Sequence, residues 1–321
     1  MKRIVVLLSS YNGEKYLRQQ LDSIIGQDCE KECNVKLSLL VRDDGSADLT
    51  TQILDEYQKK YPDKIFWYQG KNIGVVDSFF DLLCRSASQY GQSDYYAFAD
   101  QDDYWLPHKL SAGIHHLEQM EEECRQQEGR ASVPLLYCGA PTLVDEQLCP
   151  ISSGIDRSSK TPGFANALIE NVANGCTMII NKELSGMLAG EKPEFVIMHD
   201  WWIYLVASCF GKVYYDSDSY LYYRQHAGNV LGNASGRGAE LWDRLKRLRK
   251  SSGNASRQAA QFAGIFANQL EQTGENAQLL EDFLAGKHSL GRRRRALRGG
   301  LYRQRREDQV LYRWLILFNW Y

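Results

Sequence analysis

The sequence predicts an α/β fold with a mainly parallel central sheet, on the basis of three observations. Apolar runs of strand length alternate with helical patterns through the first hundred residues, which is typical of parallel strands joined by right-handed helical crossovers. Polar residues directly follow several of these runs, where sheets of this kind bind their ligands. Hydrophobic residues make up 44% of the chain and charged residues 24%, as is ordinary for a globular protein.

Four strands and three helices are predicted within residues 1–105. Ile4–Leu8 is apolar throughout, as expected of a strand buried on both faces. Three further apolar runs have strand length: Val35–Val41, Ile65–Tyr68 and Tyr95–Ala99. Between them, apolar residues recur at helical spacing in Tyr16–Ile25, Leu49–Tyr61 and Val75–Tyr90.

The pattern changes after residue 105. Helices are predicted over Lys109–Gln126 and from Met198 to about Phe210. Shorter apolar runs predict strands at Leu135–Cys138, Thr142–Val144, Val213–Tyr215 and Tyr220–Tyr223, and a turn followed by a strand is predicted over Asn174–Ile180. Beyond Gly238 the sequence is helical, polar and basic. We therefore expect one domain over residues 1–236 and a helical, basic C-terminal extension over residues 237–321.

Charge is distributed unevenly, although the net charge is only −2. Residues 1–236 hold 21 Lys and Arg against 32 Asp and Glu, whereas residues 237–321 hold 17 against 8. The two parts are therefore expected to face different partners.

Cysteine usage and the N-terminal sequence indicate a cytoplasmic protein. The eight cysteines are scattered, without CxxC pairs or zinc-ligand spacing, so free thiols in a reducing compartment are expected. The first apolar run is too short for a signal peptide, and no apolar run reaches the roughly 18 residues of a transmembrane helix.

An acidic turn, Asp100-Gln101-Asp102-Asp103, follows the fourth predicted strand. Three carboxylates in four residues repel each other unless a cation neutralises them. Mg²⁺ or Mn²⁺ prefers carboxylate oxygen and commonly completes its shell with substrate phosphates. The alternative is a solvated acidic turn or a helix N-cap, where aspartate is common.

Two other strand ends carry candidate binding residues. After the second strand, a carboxylate of Asp43 or Asp44 could accept the imide N–H of a uracil or thymine ring. After the first strand, Ser9, Tyr11 and Asn12 could stack on a base and hold it. For both segments, ordinary turn and N-cap chemistry is the alternative.

Candidate polar residues also lie in the second half of the chain. Asp200 precedes an apolar helix and could be its N-cap or a general base. His226 could be structural or could contact a phosphate or a metal. Arg224 could neutralise phosphate charge equally well.

Taken in order, seven motifs resemble those of family 2 glycosyltransferases with the GT-A fold. They are Ser9-Ser10-Tyr11-Asn12-Gly13, Asp43-Asp44-Gly45-Ser46, Asn72-Ile73-Gly74, Asp100-Gln101-Asp102-Asp103-Tyr104-Trp105, Asn174-Gly175-Cys176, His199-Asp200-Trp201-Trp202 and Tyr223-Arg224-Gln225-His226. The resemblance covers roughly residues 1–235 and is greatest to bacterial rhamnosyltransferase-like members. It implies a GT-A catalytic domain over residues 1–236.

The resemblance also implies roles. Asp102 would bind Mg²⁺ or Mn²⁺, His226 would approach the metal or the diphosphate, and Asp200 would be the catalytic base. Together with the residue-level arguments, it gives these candidates for nucleotide-sugar binding: Ser9, Tyr11, Asn12, Asp43, Asp44, Asn72, Asp100 and Arg224. The Gln-x-x-Arg-Trp motif of processive synthases is absent from the sequence, which favours the addition of one or a few sugars.

The expected function is therefore inverting, metal-dependent transfer of a sugar to a hydroxyl group. The donor would be a UDP- or dTDP-sugar, with dTDP-L-rhamnose as one candidate. The acceptor would be a glycan or lipid-linked oligosaccharide of bacterial surface polysaccharide synthesis. Two alternatives stay open: a sugar-nucleotide nucleotidyltransferase, and a non-catalytic protein that binds nucleotides or carbohydrates.

The basic extension contains an acid-free stretch, Leu284–Arg306, with nine Lys and Arg residues. Leucines lie among them at near-helical spacing, and aromatic residues follow near the end of the sequence. Such a segment suits an anionic membrane surface, and hence peripheral attachment at the inner face of the cell membrane. The alternative is a solvated helix that packs on the body. Nucleic acid is not an expected partner, because no nucleic-acid-binding motif accompanies the charge.

Overall fold

The computed structural model describes residues 1–89, 91–129, 132–151, 160–226 and 240–319, with the backbone alone described at 89, 128 and 240–252. The described residues form two compact units. The first unit takes them from 1–159, 173–190 and 211–230, and the second from 160–172, 191–210 and 231–321. The predicted boundary between residues 236 and 237 lies outside the described residues and stays a prediction.

The first unit contains all ten strands of the described chain. They are β1 Lys2–Ser10, β2 Val35–Asp43, β3 Ile65–Gln69, β4 Tyr95–Asp100, β5 Tyr104–Trp105, β6 Leu135–Gly139, β7 Thr142–Val144, β8 Ile179–Asn181, β9 Lys212–Asp216 and β10 Leu221–Arg224. Seven form one sheet in the order β3-β2-β1-β4-β8-β6-β9, and β5-β10-β7 form a small second sheet. In the large sheet, β8 alone runs antiparallel to both of its neighbours. The mixed, mainly parallel sheet confirms the predicted fold class.

The described chain also contains thirteen α-helices and two short 3₁₀-helices, Gly175–Thr177 and Gly286–His288. The α-helices are α1 Leu17–Ile25, α2 Cys29–Glu32, α3 Thr50–Lys60, α4 Val75–Gln89, α5 Lys109–Glu128, α6 Phe164–Ala167, α7 Lys182–Leu188, α8 His199–Phe210, α9 Glu240–Ile265, α10 Ala267–Leu270, α11 Glu275–Ala285, α12 Leu290–Arg298 and α13 Arg306–Leu317. Of these, α1 to α5 and α7 belong to the first unit, and the others belong to the second.

The core of the first unit explains its sequence pattern. Residues Ile4–Leu8 of β1 are at most 4% exposed, because β1 lies inside the sheet and is covered on both faces. On α1, Leu17, Leu21 and Ile24 share one face and are fully buried. The continuous apolar strand β1 and the apolar face of helix α1 therefore contribute to the same hydrophobic core.

The second unit is helical and has its own aromatic core. Phe262 of α9 is fully buried, and its ring centre lies 5.1–5.9 Å from those of four other aromatic residues. These are Phe164, Trp202, Phe210 and Phe266. Residues 164 and 202–210 therefore pack with the C-terminal helices, although they come earlier in the chain. No helix among the described residues is long and apolar enough to cross a membrane.

Candidate active site

The polar strand ends meet at one edge of the parallel sheet. The register places Ser10 beside Asp43, Ser9 beside Asp100, and Asp43 beside Gln69. The three loops that follow β1, β2 and β4 are therefore neighbours, as their sequence positions predict.

Gln101, in the middle of the acidic turn, holds the first loop in place. Its Oε1 accepts hydrogen bonds from the Tyr11 amide at 2.8 Å and from Ser10 Oγ at 2.9 Å. Its Nε2 donates to the Tyr11 carbonyl at 3.0 Å. A Cβ at Gly13 would collide with the same glutamine side chain. The Tyr11 peptide is thus fixed, while Tyr11 itself remains 48% exposed.

Asn12 connects the first loop to the second. Its amide donates to Ser46 Oγ at 2.9 Å, and its Oδ1 accepts from the Ala47 amide at 2.9 Å. Its φ of 48° lies in the left-handed region, which asparagine adopts more readily than most residues. Asn12 therefore stabilises the loop pair, and its direct contact with a nucleotide stays a prediction.

The two acids after β2 have different surroundings, although both are buried. Asp43 caps its own loop: its carboxylate accepts from the Gly45 and Ser46 amides, the Ser46 hydroxyl and Gln69 Nε2. Asp44 instead reaches the loop that precedes α4, where its two oxygens accept from the Ile73 and Gly74 amides at 2.9 Å each. Asp44 thereby sets the position of the loop that carries Asn72.

Arg42 lies beneath this arrangement and is 3% exposed. Its guanidinium pairs with Asp44, donates to the Lys71 carbonyl at 2.9 Å, and donates to Asp81 Oδ2 of α4 at 3.1 Å. It also donates to Ser78 Oγ at 3.2 Å. One buried cation thus joins strand β2, the loop at 71–74 and helix α4.

The first strand end joins the same network. Ser9 Oγ donates to Ser78 Oγ at 2.7 Å. Burial opposes ionisation of Asp81, but bonds from Tyr68 and Arg85 and the nearby guanidinium charges outweigh it and lower the pKa of Asp81. Asp81 is therefore an anion at neutral pH, and it anchors Arg42 from the helix side.

The acidic turn and the segment after β10 bring the two predicted metal ligands together. His226 Nε2 lies 2.9 Å from Asp102 Oδ2, and the His226 ring packs on Tyr16 with ring centres 5.1 Å apart. A cavity of about 280 Å³ opens beside them. Its lining residues are Asn12, Gly13, Lys15, Tyr16, Gln101, Asp102, Glu146 and His226.

Arg224 is 1% exposed and supports the acidic turn from below. Its Nε donates to the Asp102 carbonyl at 2.8 Å, its Nη2 donates to Gln19 Oε1 at 2.8 Å, and its Nη1 donates to the Glu146 carbonyl. These bonds give Arg224 a positioning role. The expected contact between Arg224 and a phosphate stays a prediction. The structure favours the positioning role, because the guanidinium is buried and donates to three protein partners.

A second acidic group lies deeper, where ligand atoms of Asp100, Asp103 and Cys176 lie within 4.8 Å of one another. Burial, together with the charges of Asp100 and Asp102, raises the pKa of Asp103 well above its usual range. Burial also raises the pKa of the Cys176 thiol. These three residues are a second candidate group for a divalent cation, which would displace the protons of Asp103 and Cys176 on binding.

Asp200 lies in the second unit, in the first turn of α8. Its Oδ1 accepts from the Trp201 amide at 2.6 Å, and the indole of Trp201 donates to the Ala167 carbonyl at 2.7 Å. The positive end of the helix dipole favours a carboxylate at this position. Asp200 as the general base stays a prediction.

Several supporting residues are missed by sequence reasoning. Arg42, Gln101 and Glu146 hold the site together, but their partners come from other parts of the chain. The Gln101–Tyr11 bonds join residues 90 positions apart. The sequence offers one signal for two of these residues, which is their position next to candidate site residues. Gln101 lies between Asp100 and Asp102, and Arg42 precedes Asp43.

A parallel sheet with an acidic turn at its ligand-binding edge is the arrangement of GT-A glycosyltransferases. Residues 5–127 match the family model "Glycosyl transferase family 2". The chain is 29% identical to the dTDP-rhamnosyl transferase RfbG of Shigella flexneri over 70% of this chain and 73% of that protein. Three mycobacterial proteins also match, and the chain spans 62% of their length.

Solved structures give the same fold. S. aureus TarS 1–349 in complex with UDP-GlcNAc has a TM-score of 0.56 at 17% identity, covering 100% of this chain and 91% of TarS 1–349. The mannosyltransferase PcManGT from Pyrobaculum calidifontis, in complex with GDP-Man and Mn²⁺, has a TM-score of 0.50 at 16% identity, covering 99% and 85%. Residues 5–127 are thus similar to family 2 glycosyltransferases, the chain has the GT-A fold, and its relatives indicate a glycosyltransferase.

Proposed function

We propose that this enzyme transfers a sugar from a nucleoside-diphosphate sugar to a hydroxyl group with inversion at the anomeric carbon. The observation that carries the proposal is the cavity beside Asp102 and His226, which also borders the Tyr11 loop. A nucleotide base can stack on exposed Tyr11 while the diphosphate extends into the cavity. Lys15 lines that cavity, where it forms an ion pair with Glu146 at 2.8 Å and supplies a positive charge near the diphosphate.

Asp102 and His226 would hold a divalent cation, Mg²⁺ or Mn²⁺. Two protein ligands leave most of the shell to water and diphosphate oxygens, as is usual for Mg²⁺. When bound, the cation stabilises the negative charge that develops on the leaving diphosphate. Support comes from the 2.9 Å approach of the two side chains and from the structure of PcManGT, which is a complex with GDP-Man and Mn²⁺.

The chain's own residues supply the proton transfer and the positioning. In the proposed reaction, the carboxylate of Asp200 takes the proton of the acceptor hydroxyl. The acceptor oxygen bonds to the anomeric carbon as the bond from that carbon to the diphosphate oxygen breaks. One displacement from the opposite face inverts the configuration, and the nucleoside diphosphate leaves.

We further propose a UDP- or dTDP-sugar as donor, with dTDP-L-rhamnose as the first candidate because the Shigella relative is a dTDP-rhamnosyl transferase. The proposed acceptor is a glycan or a lipid-linked oligosaccharide in surface polysaccharide synthesis. The enzyme would then act in the cytoplasm, at the inner face of the cell membrane.

Donor binding can be tested by thermal shift with UDP, dTDP and GDP, each with and without Mn²⁺. We expect UDP or dTDP to raise the melting temperature, and Mn²⁺ to enlarge the shift. Asp102→Asn should remove the Mn²⁺-dependent part. Asp63→Asn is the matched control, because Asp63 is exposed and lies before β3, at the opposite end of that strand. If no nucleotide gives a metal-dependent shift, the proposal is wrong.

A further inference from the structure

Helix α13 of the second unit buries one face and exposes large apolar residues on another. Tyr312, Leu315 and Ile316 are at most 1% exposed. In contrast, Val310, Trp314 and Phe318 are 57%, 55% and 57% exposed. These three residues follow each other at intervals of four, which places them in one row along the helix and its C-cap. We call this row the Trp314 stripe.

Two members of the Trp314 stripe pack directly on each other. The rings of Trp314 and Phe318 stack with their centres 5.7 Å apart and their planes 15° apart. Single exposed apolar residues are common on protein surfaces, but a contiguous apolar patch rimmed by polar residues marks an interaction site. We therefore expect the stripe to bind a partner that is at least partly apolar.

The surroundings of the stripe are strongly cationic. Residues 287–319 hold ten Lys and Arg and only two acids, Glu307 and Asp308. Some of the arginines pair with carboxylates: Arg292 and Arg295 pair with Asp282, and Arg303 pairs with Glu170. Five further arginines among the described residues are exposed: Arg294, Arg298, Arg305, Arg306 and Arg313.

Helices α12 and α13 are neighbours in the second unit. The side-chain amide of Asn319, just after α13, donates to the Lys287 carbonyl, just before α12, at 3.1 Å. This bond brings the C-terminal end of α13 next to the start of α12. The cationic residues of α12 therefore belong to the same region of the second unit as the stripe.

The charge and the apolar character of this surface together favour one of three possible partners. A second copy of the chain would bring like charges together and is disfavoured for that reason. A nucleic acid would satisfy the arginines but offers no hydrocarbon for Val310 and Phe318. An anionic lipid layer offers phosphate charge at its surface and acyl chains below it, which matches an aromatic and aliphatic row among arginines.

We propose that the Trp314 stripe inserts into the interface of an anionic lipid layer, with the arginines of α12 and α13 at the lipid headgroups. The inference deepens the proposed function, since a lipid-linked acceptor would be presented on that surface. It rests on the exposure and charge of the second unit, and it is independent of donor chemistry.

The test is co-sedimentation of the full chain with vesicles of phosphatidylcholine alone or with about 30% phosphatidylglycerol as the anionic lipid. We expect binding to the anionic vesicles, weaker binding to the neutral ones, and a decline with added salt. Trp314→Ser combined with Phe318→Ser should lower partitioning about tenfold or more. Arg294→Gln combined with Arg298→Gln should lower it about fivefold per arginine.

Matched controls lie in the first unit. Leu49→Ser removes an apolar side chain that is 53% exposed, and Arg125→Gln removes an exposed arginine of α5. Neither should change vesicle binding. Every variant should keep the wild-type melting temperature and rate of donor hydrolysis without vesicles, because the substituted side chains are exposed and none of them belongs to a candidate donor-binding residue.

Three results would overturn the proposal. They are equal binding to neutral and anionic vesicles, unchanged binding by the stripe variant, and a concentration-dependent dimer that the stripe variant abolishes. Failure of donor hydrolysis in the wild-type chain would instead refute the proposed function and leave vesicle binding unaffected. Transfer to a lipid-linked acceptor in anionic vesicles should fall with the stripe variant.

Discussion

At the scale of single residues, Arg42 shows how a buried charge supports a binding site. A guanidinium in a low-dielectric site is costly unless its donors are satisfied, and Arg42 has four partners. Two of them, Asp44 and the Lys71 carbonyl, determine where the loop at 71–74 lies. The residue therefore influences the nucleotide end of the site without being exposed to it.

We predict that Arg42→Lys raises the donor KM about tenfold or more with little change in kcat. Lysine cannot reproduce the planar fork, so at least one bond to a charged group is lost, worth about 1.5–3 kcal/mol. Steady-state kinetics and donor binding measure the effect. Arg85→Gln is the control, because Arg85 pairs with Asp81 within α4 and lies over the Tyr68 ring, yet it is half-exposed. Equal effects of both substitutions would contradict a specific role of Arg42.

Asp200 is the residue on which the proposed chemistry depends. We predict that Asp200→Asn retains donor binding but lowers the transfer rate about a hundredfold or more, as expected when a general base is removed. Thermal shift with nucleotide and a radiolabelled transfer assay separate the two properties. Unchanged turnover would remove Asp200 from the mechanism, whereas loss of nucleotide binding would move it to the donor site.

At the scale of elements, sequence periodicity predicts the first four strands well. β1, β2, β3 and β4 extend each predicted run by one to four residues, because the polar residues at their ends continue the ladder. Convergence of the polar loops could be predicted too, since it follows from parallel pairing alone. The contacts of Gln101, Arg42 and Arg224 could not, because they depend on which loops become neighbours after the sheet has formed.

The second unit is the harder part for sequence reasoning. Phe164 and Trp202 have local patterns that give no indication of their partners in α9, about sixty to a hundred residues later. We predict that Phe262→Ala lowers the free energy of unfolding of this unit by about 3–5 kcal/mol, because it empties a fully buried ring site.

Chemical denaturation followed by circular dichroism measures this change. Leu290→Ala is the comparison, because Leu290 is 45% exposed and should change stability by less than about 0.5 kcal/mol. Similar losses for both substitutions would show that the aromatic cluster does not stabilise the unit.

At the scale of the whole molecule, stability should depend on pH through His199. Burial lowers the pKa of His199 to about 3, against an ordinary value of 6.5. Between these values, the unfolded chain binds a proton that the folded chain does not. The folded state therefore loses stability as pH falls below about 6.5, by up to about 1.4 kcal/mol per pH unit from this group.

The His199→Asn variant isolates that contribution. The difference in unfolding free energy between the variant and the wild type should shift in the variant's favour as pH falls from about 7.5 to about 4.5. Urea titrations at several pH values measure it. A difference that stays constant over this range would show that burial does not lower the pKa of His199 in the folded protein.

The position of Gln101 has a consequence for the thermodynamics of binding. Its side chain holds the Tyr11 peptide in the loop proposed to bind the base, and its backbone links Asp100 to the proposed metal ligand Asp102. Ordering of the base-binding loop should therefore restrict the metal-binding turn, and the reverse. Nucleoside binding and metal binding should then be linked, so that each ligand raises the affinity of the protein for the other by the same factor. Uridine, which has no phosphate to touch a cation, isolates the part of this linkage that passes through the protein. Calorimetry should show Mn²⁺ tightening uridine binding about fivefold, uridine tightening Mn²⁺ binding equally, and Gln101→Leu abolishing both.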